Sequence, residues 1–120
     1  LLERLRQEGV RTAVVSNKPD RTTRTLAARF FPELDGAMGQ REGIASKPAP
    51  DMVRAALDQL HAAPEEALYV GDSEVDVATA RNAGLDMIGV AWGFRGRAAL
   101  EAAGAPLVAD TPEQLLDMLQ

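Results

Sequence analysis

Residues 68–76 of this 120-residue chain read LYVGDSEVD, and they indicate the fold more clearly than any other stretch. An apolar strand reaches Gly71, and two aspartates follow, Asp72 and Asp76, the second inside a predicted helix over 75–83. In an open α/β sheet, ligands bind outside the carboxyl ends of the strands, where loops lead into helix N-termini. Two acids there are costly to bury unpaired. They suit Mg2+, which prefers one or two carboxylates together with water and phosphate oxygens.

The composition predicts one globular domain with a modest core, since 46% of the residues are hydrophobic. The net charge of −5 argues against a nucleic-acid partner, because no basic face is available to displace counterions. A phosphorylated metabolite needs only a local positive site and stays possible as a partner. The chain has no cysteine, no visible signal peptide and no apolar run of membrane-spanning length. We therefore expect a soluble cytoplasmic protein that binds neither nucleic acid nor membrane.

Predicted strands and helices alternate along the whole chain. The strands are short apolar runs at 12–15, 37–38, 67–70, 87–90 and 107–108. The helices are predicted at 1–8, 20–30, 50–60, 75–83 and 98–103, with a last one after Thr111. Trp92 and Phe94, flanked by glycines, are predicted to anchor a loop on the core. This alternation predicts an α/β fold with a mainly parallel sheet and helices on both faces, which is a three-layer Rossmann-like core.

Two further positions carry groups that could bind an anion. Ser16 and Asn17 follow the first strand, where a hydroxyl and backbone N–H groups make an anion cradle. The same residues also suit an ordinary turn or a helix N-cap. Lys47 lies in the segment SKPAP at 46–50, whose two prolines restrict the loop and could aim the ammonium at a phosphate. The alternative for Lys47 is a solvated surface side chain. For the acid pair, the alternative is Asp72 as a helix N-cap and Asp76 as a first-turn acid.

The order of these motifs resembles the haloacid dehalogenase-like hydrolases. Ser and Asn follow one strand, a Lys lies in a proline-restricted loop, and Gly-Asp-Ser-x-x-Asp follows a later strand. The segments most similar to the phosphoglycolate phosphatase branch of that superfamily are VVSNK at 14–18, SKPAP at 46–50, VGDSEVD at 70–76 and ARNAG at 80–84. The segments GVAWGF at 89–94 and GAPLVADTPEQLL at 104–116 fit the same branch. The resemblance covers essentially the whole chain.

The resemblance implies a Mg2+-dependent phosphatase of small phosphorylated metabolites that works through an aspartyl-phosphate. In that reaction an Asp carboxylate attacks phosphorus, and water then hydrolyses the phospho-Asp. By position, Ser16 and the Asn17 amide would hold phosphate oxygens, and Lys47 would neutralise charge on the phosphoryl group. Asp72 would bind Mg2+ directly, and Asp76 would orient the metal site from its second shell.

The chain departs from the family pattern at the nucleophile. That residue is expected in an Asp-x-Asp motif at the end of a first strand, upstream of a helical cap domain, and no Asp-x-Asp occurs in the chain. Residues 1–120 therefore resemble the C-terminal part of a core domain without its first strand and cap, and we expect this chain alone to be inactive. The absent strand would lie between the strands at 12–15 and 67–70. We therefore expect self-association, or an N-terminal segment that completes the sheet.

Two alternatives to an enzyme follow from the same motifs. The absent nucleophile is compatible with a non-catalytic interaction module derived from the phosphatase fold. A response-regulator receiver domain also combines acids that bind Mg2+, a hydroxyl and a Lys on an α/β sheet. In receivers, however, the Lys-Pro pair follows the acids, whereas Lys47-Pro48 precedes them here.

Overall fold

The computed structural model describes residues 1–93 and 95–119, and it divides into two compact units, Leu1–Ala63 and Pro64–Gln120. Both units are of the α/β type, and every strand pairing within them is parallel. Among the described residues, no helix is both long and apolar enough to cross a bilayer. The predicted α/β class with parallel strands is confirmed.

The first unit pairs two parallel strands and packs helices against them. Its elements are α1 (Leu2–Gln7), β1 (Ala13–Pro19), α2 (Asp20–Phe30), β2 (Gly36–Gln40) and α3 (Asp51–Leu60). Ala13 pairs with Gly36 and Val15 with Met38. Helix α3 is amphipathic because apolar side chains recur at the spacing of one helix face. Its buried residues are Met52, Val53, Ala56 and Leu57, and Met38 of β2 is likewise buried.

The second unit begins with a 3-10 turn at Pro64–Glu66 and contains a three-stranded parallel sheet. Its elements are β3 (Leu68–Gly71), α4 (Glu74–Ala83), β4 (Asp86–Val90), α5 (Gly96–Ala102), β5 (Val108–Ala109) and α6 (Pro112–Leu119). The strand order is β3-β4-β5, so that β4 is central.

Strand β4 is buried on both faces, as expected of a central parallel strand. On one face Met87 packs with Val77, Ala80 and Leu100 of α4 and α5. On the other face Ile88 and Val90 pack with Ala109 and with Leu115 of α6. Helices therefore cover both faces of this sheet, which is the layering that the sequence pattern predicts.

Several predicted boundaries differ from the structure, and one predicted contact is wrong. Strand β1 continues to Pro19 instead of ending at Val15, and β3 ends on Gly71. Trp92, predicted to anchor a loop on the core, is 46% exposed. Phe94, predicted to share that role, lies outside the described residues. The end of α4 at Ala83 agrees with the predicted helix over 75–83, and Gly84, which follows it, adopts the left-handed conformation that glycine permits (φ 73°).

Candidate functional site

A β-bulge carries Ser16, Asn17 and Lys18. Val15 pairs with Met38 and Pro19 with Gln40, so three residues of β1 lie opposite the single residue Gly39. Extra residues of this kind break the ladder and re-aim the side chains of the bulged strand. Ser16 and Asn17 were expected in a turn after the strand; they lie instead within β1, at its irregular end.

Gly39 permits this bulge because it has no side chain. A Cβ at that position would lie 2.5 Å from the carbonyl oxygen of Lys18 and from Oγ1 of Thr23. The buried Thr23 hydroxyl donates to the Pro19 carbonyl at 3.2 Å. The N–H of Gly39 donates to Oδ1 of Asp20 at 2.9 Å. That bond, aided by the nearby Arg24 guanidinium, lowers the pKa of the Asp20 carboxyl.

The Ser16 hydroxyl is used locally as an acceptor. Its Oγ accepts a hydrogen bond from the N–H of Lys18 at 3.1 Å, which is the side-chain turn that serine commonly forms. A hydroxyl also has one proton to donate. Within residues 1–93 and 95–119, that proton is donated to no protein acceptor. The Ser16 hydroxyl can therefore donate to an anion without breaking a protein hydrogen bond.

Asn17 and Lys47, predicted independently from two motifs, are in direct contact. Oδ1 of Asn17 accepts from the N–H of Lys47 at 2.9 Å, and Nδ2 donates to the Lys47 carbonyl at 3.2 Å. The side-chain amide is thus engaged with the backbone of Lys47, and one of its two N–H groups remains for a further acceptor. Lys47 itself is half-buried, and the Lys47–Pro48 peptide bond is cis.

Of the two acids Asp72 and Asp76, Asp76 is the more deeply buried, with 6% of its surface exposed. Its Oδ2 accepts from the N–H of Asp72 at 3.0 Å and from the Ser73 hydroxyl at 3.1 Å. Ser73 in turn caps α4, because its Oγ accepts from the N–H of Asp76 at 3.3 Å. The alternative that Asp72 is the N-cap is therefore wrong, and Asp76 fixes the turn that carries Asp72.

Gly71 is required by the same arrangement. A Cβ at Gly71 would overlap the Asp76 side chain, with Oδ2 only 2.6 Å away. The strand must therefore end in a residue without a side chain if Asp76 is to fold back over the turn. This contact gives the spacing Gly-Asp-Ser-x-x-Asp a physical reason.

Tyr69 belongs to this hydrogen-bond network, although the sequence reasoning did not select it. Its hydroxyl donates to Oδ1 of Asp76 at 2.7 Å. Burial of the ring and the negative charge of Asp76 raise the pKa of the Tyr69 hydroxyl far above its ordinary value. The sequence could have indicated Tyr69, because side chains in a strand alternate with a period of two and Tyr69 therefore lies on the same face of β3 as Gly71.

Asp72 presents a half-buried carboxylate beyond the end of β3. Within the described part of the chain, no residue donates a hydrogen bond to it. Gly93 packs directly against this carboxylate, since a Cβ at Gly93 would overlap it. The neighbouring loop residue Arg95 forms a two-pronged ion pair with Glu74 in the first turn of α4.

The oxygen donors of this unit fit a hard divalent cation. The Asp72 carboxylate accepts no hydrogen bond from the described residues, and carboxylates are ligands that Mg2+ prefers. The unit as a whole carries ten acidic and only three basic residues, which favours a cation. Among the described residues, no three acidic or histidine side chains cluster closely enough to form a complete metal site. Asp72 is thus one ligand, to be completed by water, substrate or other groups.

Comparison with known proteins identifies close relatives. A sequence model of the haloacid dehalogenase-like hydrolases matches residues 1–84. The chain is 42% identical over 98 residues to a protein of Caldanaerobacter subterraneus subsp. tengcongensis provisionally named pyrophosphatase PpaX (77% of this chain, 43% of the relative). It is 32% identical over 123 residues to pyrophosphatase PpaX of Bacillus mycoides (98% of this chain, 56% of the relative).

A solved structure extends the similarity to the fold. A Lactobacillus delbrueckii subsp. bulgaricus protein, provisionally named a phosphoglycolate phosphatase, superposes with a TM-score of 0.95 at 43% identity. The match covers 98% of this chain and 50% of that protein. The chain spans about half the length of the curated relatives it matches, at 43% and 56% of the two described above.

Proposed function

This chain belongs to the haloacid dehalogenase-like hydrolases, and from that premise we propose that it supplies the phosphoryl-binding and metal-binding residues of a Mg2+-dependent phosphatase. One observation carries the proposal. The buried Asp76 holds the backbone N–H of Asp72, while the Asp72 carboxylate has no hydrogen-bond donor among the described residues. A carboxylate that is held in place, and whose oxygens accept no hydrogen bond from the described residues, suits a hard cation.

Each residue has a separate role in this proposal. The Ser16 hydroxyl and the backbone N–H of Asn17 donate to phosphoryl oxygens, and the Lys47 ammonium neutralises charge that develops there. Asp72 binds Mg2+ directly, and Asp76 orients Asp72 through the turn between them. When bound, Mg2+ supplies positive charge that screens the anionic substrate from the attacking carboxylate. The receiver-domain alternative is set aside, because residues 1–84 match the hydrolase family.

The covalent step needs a carboxylate that these 120 residues do not provide in the expected motif. An Asp oxygen forms a bond to phosphorus while the bond from phosphorus to the leaving oxygen breaks, and water then hydrolyses the phospho-Asp. Because no Asp-x-Asp occurs in the chain, we propose the activity for a polypeptide that carries this chain together with such a segment.

Two substrates follow from the names of the relatives. Relatives named pyrophosphatase PpaX suggest inorganic pyrophosphate, and the structural relative from Lactobacillus suggests phosphoglycolate. Both compounds present a terminal phosphoryl group to the same chemistry. A direct comparison of kcat/KM for the two compounds would decide between them.

The proposal is tested on the polypeptide that contains both this chain and an Asp-x-Asp segment. We expect Mg2+-dependent turnover of p-nitrophenyl phosphate, and a loss of about 100-fold or more in kcat for Lys47→Ala and Asp72→Asn. Lys18→Ala and Asp117→Asn are matched controls, because both side chains are exposed. A folded wild-type protein that turns over neither p-nitrophenyl phosphate, phosphoglycolate nor pyrophosphate would instead support the non-catalytic interaction module.

A further inference from the structure

We propose that Asn17 is a positioning residue that acts through Lys47, holding the lysine loop to the bulge of β1. The evidence is a pair of hydrogen bonds between one side-chain amide and one backbone residue. Oδ1 of Asn17 accepts from the Lys47 N–H at 2.9 Å, and Nδ2 donates to the Lys47 carbonyl at 3.2 Å. The proposal deepens the proposed function, since it rests on Lys47 contacting the phosphoryl group.

The chemistry of the contact selects asparagine. Lys47 presents one donor and one acceptor, and a carboxamide offers the matching acceptor and donor in a single plane. An aspartate of the same size could accept from the N–H, but it would face the Lys47 carbonyl with an oxygen instead of a donor. An alanine would leave both backbone groups of Lys47 without these partners.

The position of Asn17 in the bulge makes the contact possible. The regular ladder between β1 and β2 is interrupted between Val15 and Pro19. The adjacent N–H of Lys18 is satisfied by Oγ of Ser16, and Gly39 leaves room for the backbone at Lys18. The strand therefore supplies a rigid base from which the Asn17 side chain reaches a residue 30 positions further along the chain.

The loop that carries Lys47 has no regular ladder of backbone hydrogen bonds. It lies between β2 and α3 without a helix or strand, and Pro48 and Pro50 have no N–H to donate. Backbone hydrogen bonds within it run from the Ile44 N–H to the Arg41 carbonyl and from the Ala49 N–H to the Ser46 carbonyl, at 3.3 and 3.0 Å. The two bonds to Asn17 thus fix the point from which the lysine side chain starts. Small displacements of a charge-stabilising group reduce catalysis strongly.

The experiment uses the polypeptide described under Proposed function, with Asn17→Ala, Asn17→Asp and the neighbouring control Lys18→Ala. Amide hydrogen exchange followed by NMR should show a protected Lys47 N–H in the wild type and in Lys18→Ala, and an exchange at least tenfold faster in Asn17→Ala. The kcat on p-nitrophenyl phosphate should fall by about 10- to 100-fold in the Asn17 variants, with a smaller change in KM.

A double-mutant cycle separates positioning from a general structural role. If Asn17 acts through Lys47, Asn17→Ala should change kcat by less than about twofold in a Lys47→Ala background. Full additivity would overturn the proposal, and so would rapid exchange of the Lys47 N–H in the wild type, which needs no variant to fold. An unchanged kcat in Lys47→Ala would instead overturn the proposed function of Lys47, whatever the exchange data show.

Discussion

The hydroxyl of Tyr69 donates a hydrogen bond to Oδ1 of Asp76 over 2.7 Å, and this contact ties strand β3 to the first turn of helix α4. The other oxygen of Asp76 holds the N–H of Asp72 and the hydroxyl of Ser73. A buried carboxylate is tolerated only when hydrogen bonds replace its lost hydration. Tyr69 is therefore part of the support that lets Asp76 hold the turn in place.

Tyr69 should ionise only when the protein unfolds. Burial and Asp76 raise the pKa of its hydroxyl, so the folded state favours the protonated phenol. This contribution to stability is fully present below the unfolded tyrosine pKa of about 10, and it is lost as the pH rises above that value. Because Tyr69 is the sole tyrosine of the chain, absorbance at 295 nm reports it alone when the 120-residue chain is used. A phenolate signal near pH 10 with unchanged circular dichroism would contradict this expectation.

Tyr69→Phe should destabilise the fold, because it removes a donor from a buried, charged acceptor. Hydrogen bonds to charged groups contribute about 1.5–3 kcal/mol, and we expect a decrease of that size in the free energy of unfolding. Urea denaturation at pH 7 measures the change. The phenylalanine keeps the ring and its packing, so a stability equal to wild type would mean that the hydroxyl does not support Asp76.

The acid motif could be predicted from sequence because its cause is local. Gly71, Asp72, Ser73 and Asp76 lie within six consecutive positions, and their contacts follow from a strand end that leads into a capped helix. The end of α4 before Gly84 and the start of α6 after Thr111 were predictable for the same reason, with Oγ1 of Thr111 accepting from the N–H of Gln114 at 3.1 Å. What the pattern could not distinguish was which residue caps α4, since aspartate and serine are both favoured there.

The bulge in β1 could not be predicted, because its cause lies on another strand. Residues 12–15 alone look like a complete strand, and the continuation to Pro19 depends on Gly39 leaving room opposite Lys18. The contact of Asn17 with Lys47 spans 30 positions and involves backbone atoms, which no residue pattern records. Trp92 was misjudged because a large apolar side chain is not necessarily buried.

Gly93→Ala should weaken Mg2+ binding by displacing the Asp72 carboxylate, against which Gly93 packs without a Cβ. We expect about tenfold lower affinity by isothermal titration calorimetry on the polypeptide that also carries an Asp-x-Asp segment. Gly36→Ala is the matched control, because the nearest atom to its Cβ, Oε1 of Gln59 at 3.3 Å, ends a flexible side chain. Equal Mg2+ affinities in the two variants would mean that Gly93 does not position Asp72.

The isolated 120-residue chain should show no phosphatase activity above background. Ser16 and Lys47 can orient and stabilise a phosphoryl group, but they cannot replace the attacking carboxylate of an absent Asp-x-Asp motif. The measurement is turnover of p-nitrophenyl phosphate and phosphoglycolate with Mg2+ present. Multiple turnovers by purified chain, abolished by Lys47→Ala, would show that a carboxylate within these residues acts as nucleophile.

The isolated chain should also self-associate. Alternate residues of β3 present apolar side chains, with Leu68 and Val70 exposed by 38% and 43%. An exposed apolar strand is a template for pairing with another chain, and a charge placed on it opposes that pairing. Val70→Lys should therefore shift the sedimentation profile toward the 12.8 kDa monomer. Val75→Lys, which changes a side chain exposed by 41% at the start of α4, should leave the profile unchanged. A wild-type chain that sediments as a monodisperse monomer and unfolds cooperatively would refute the expectation.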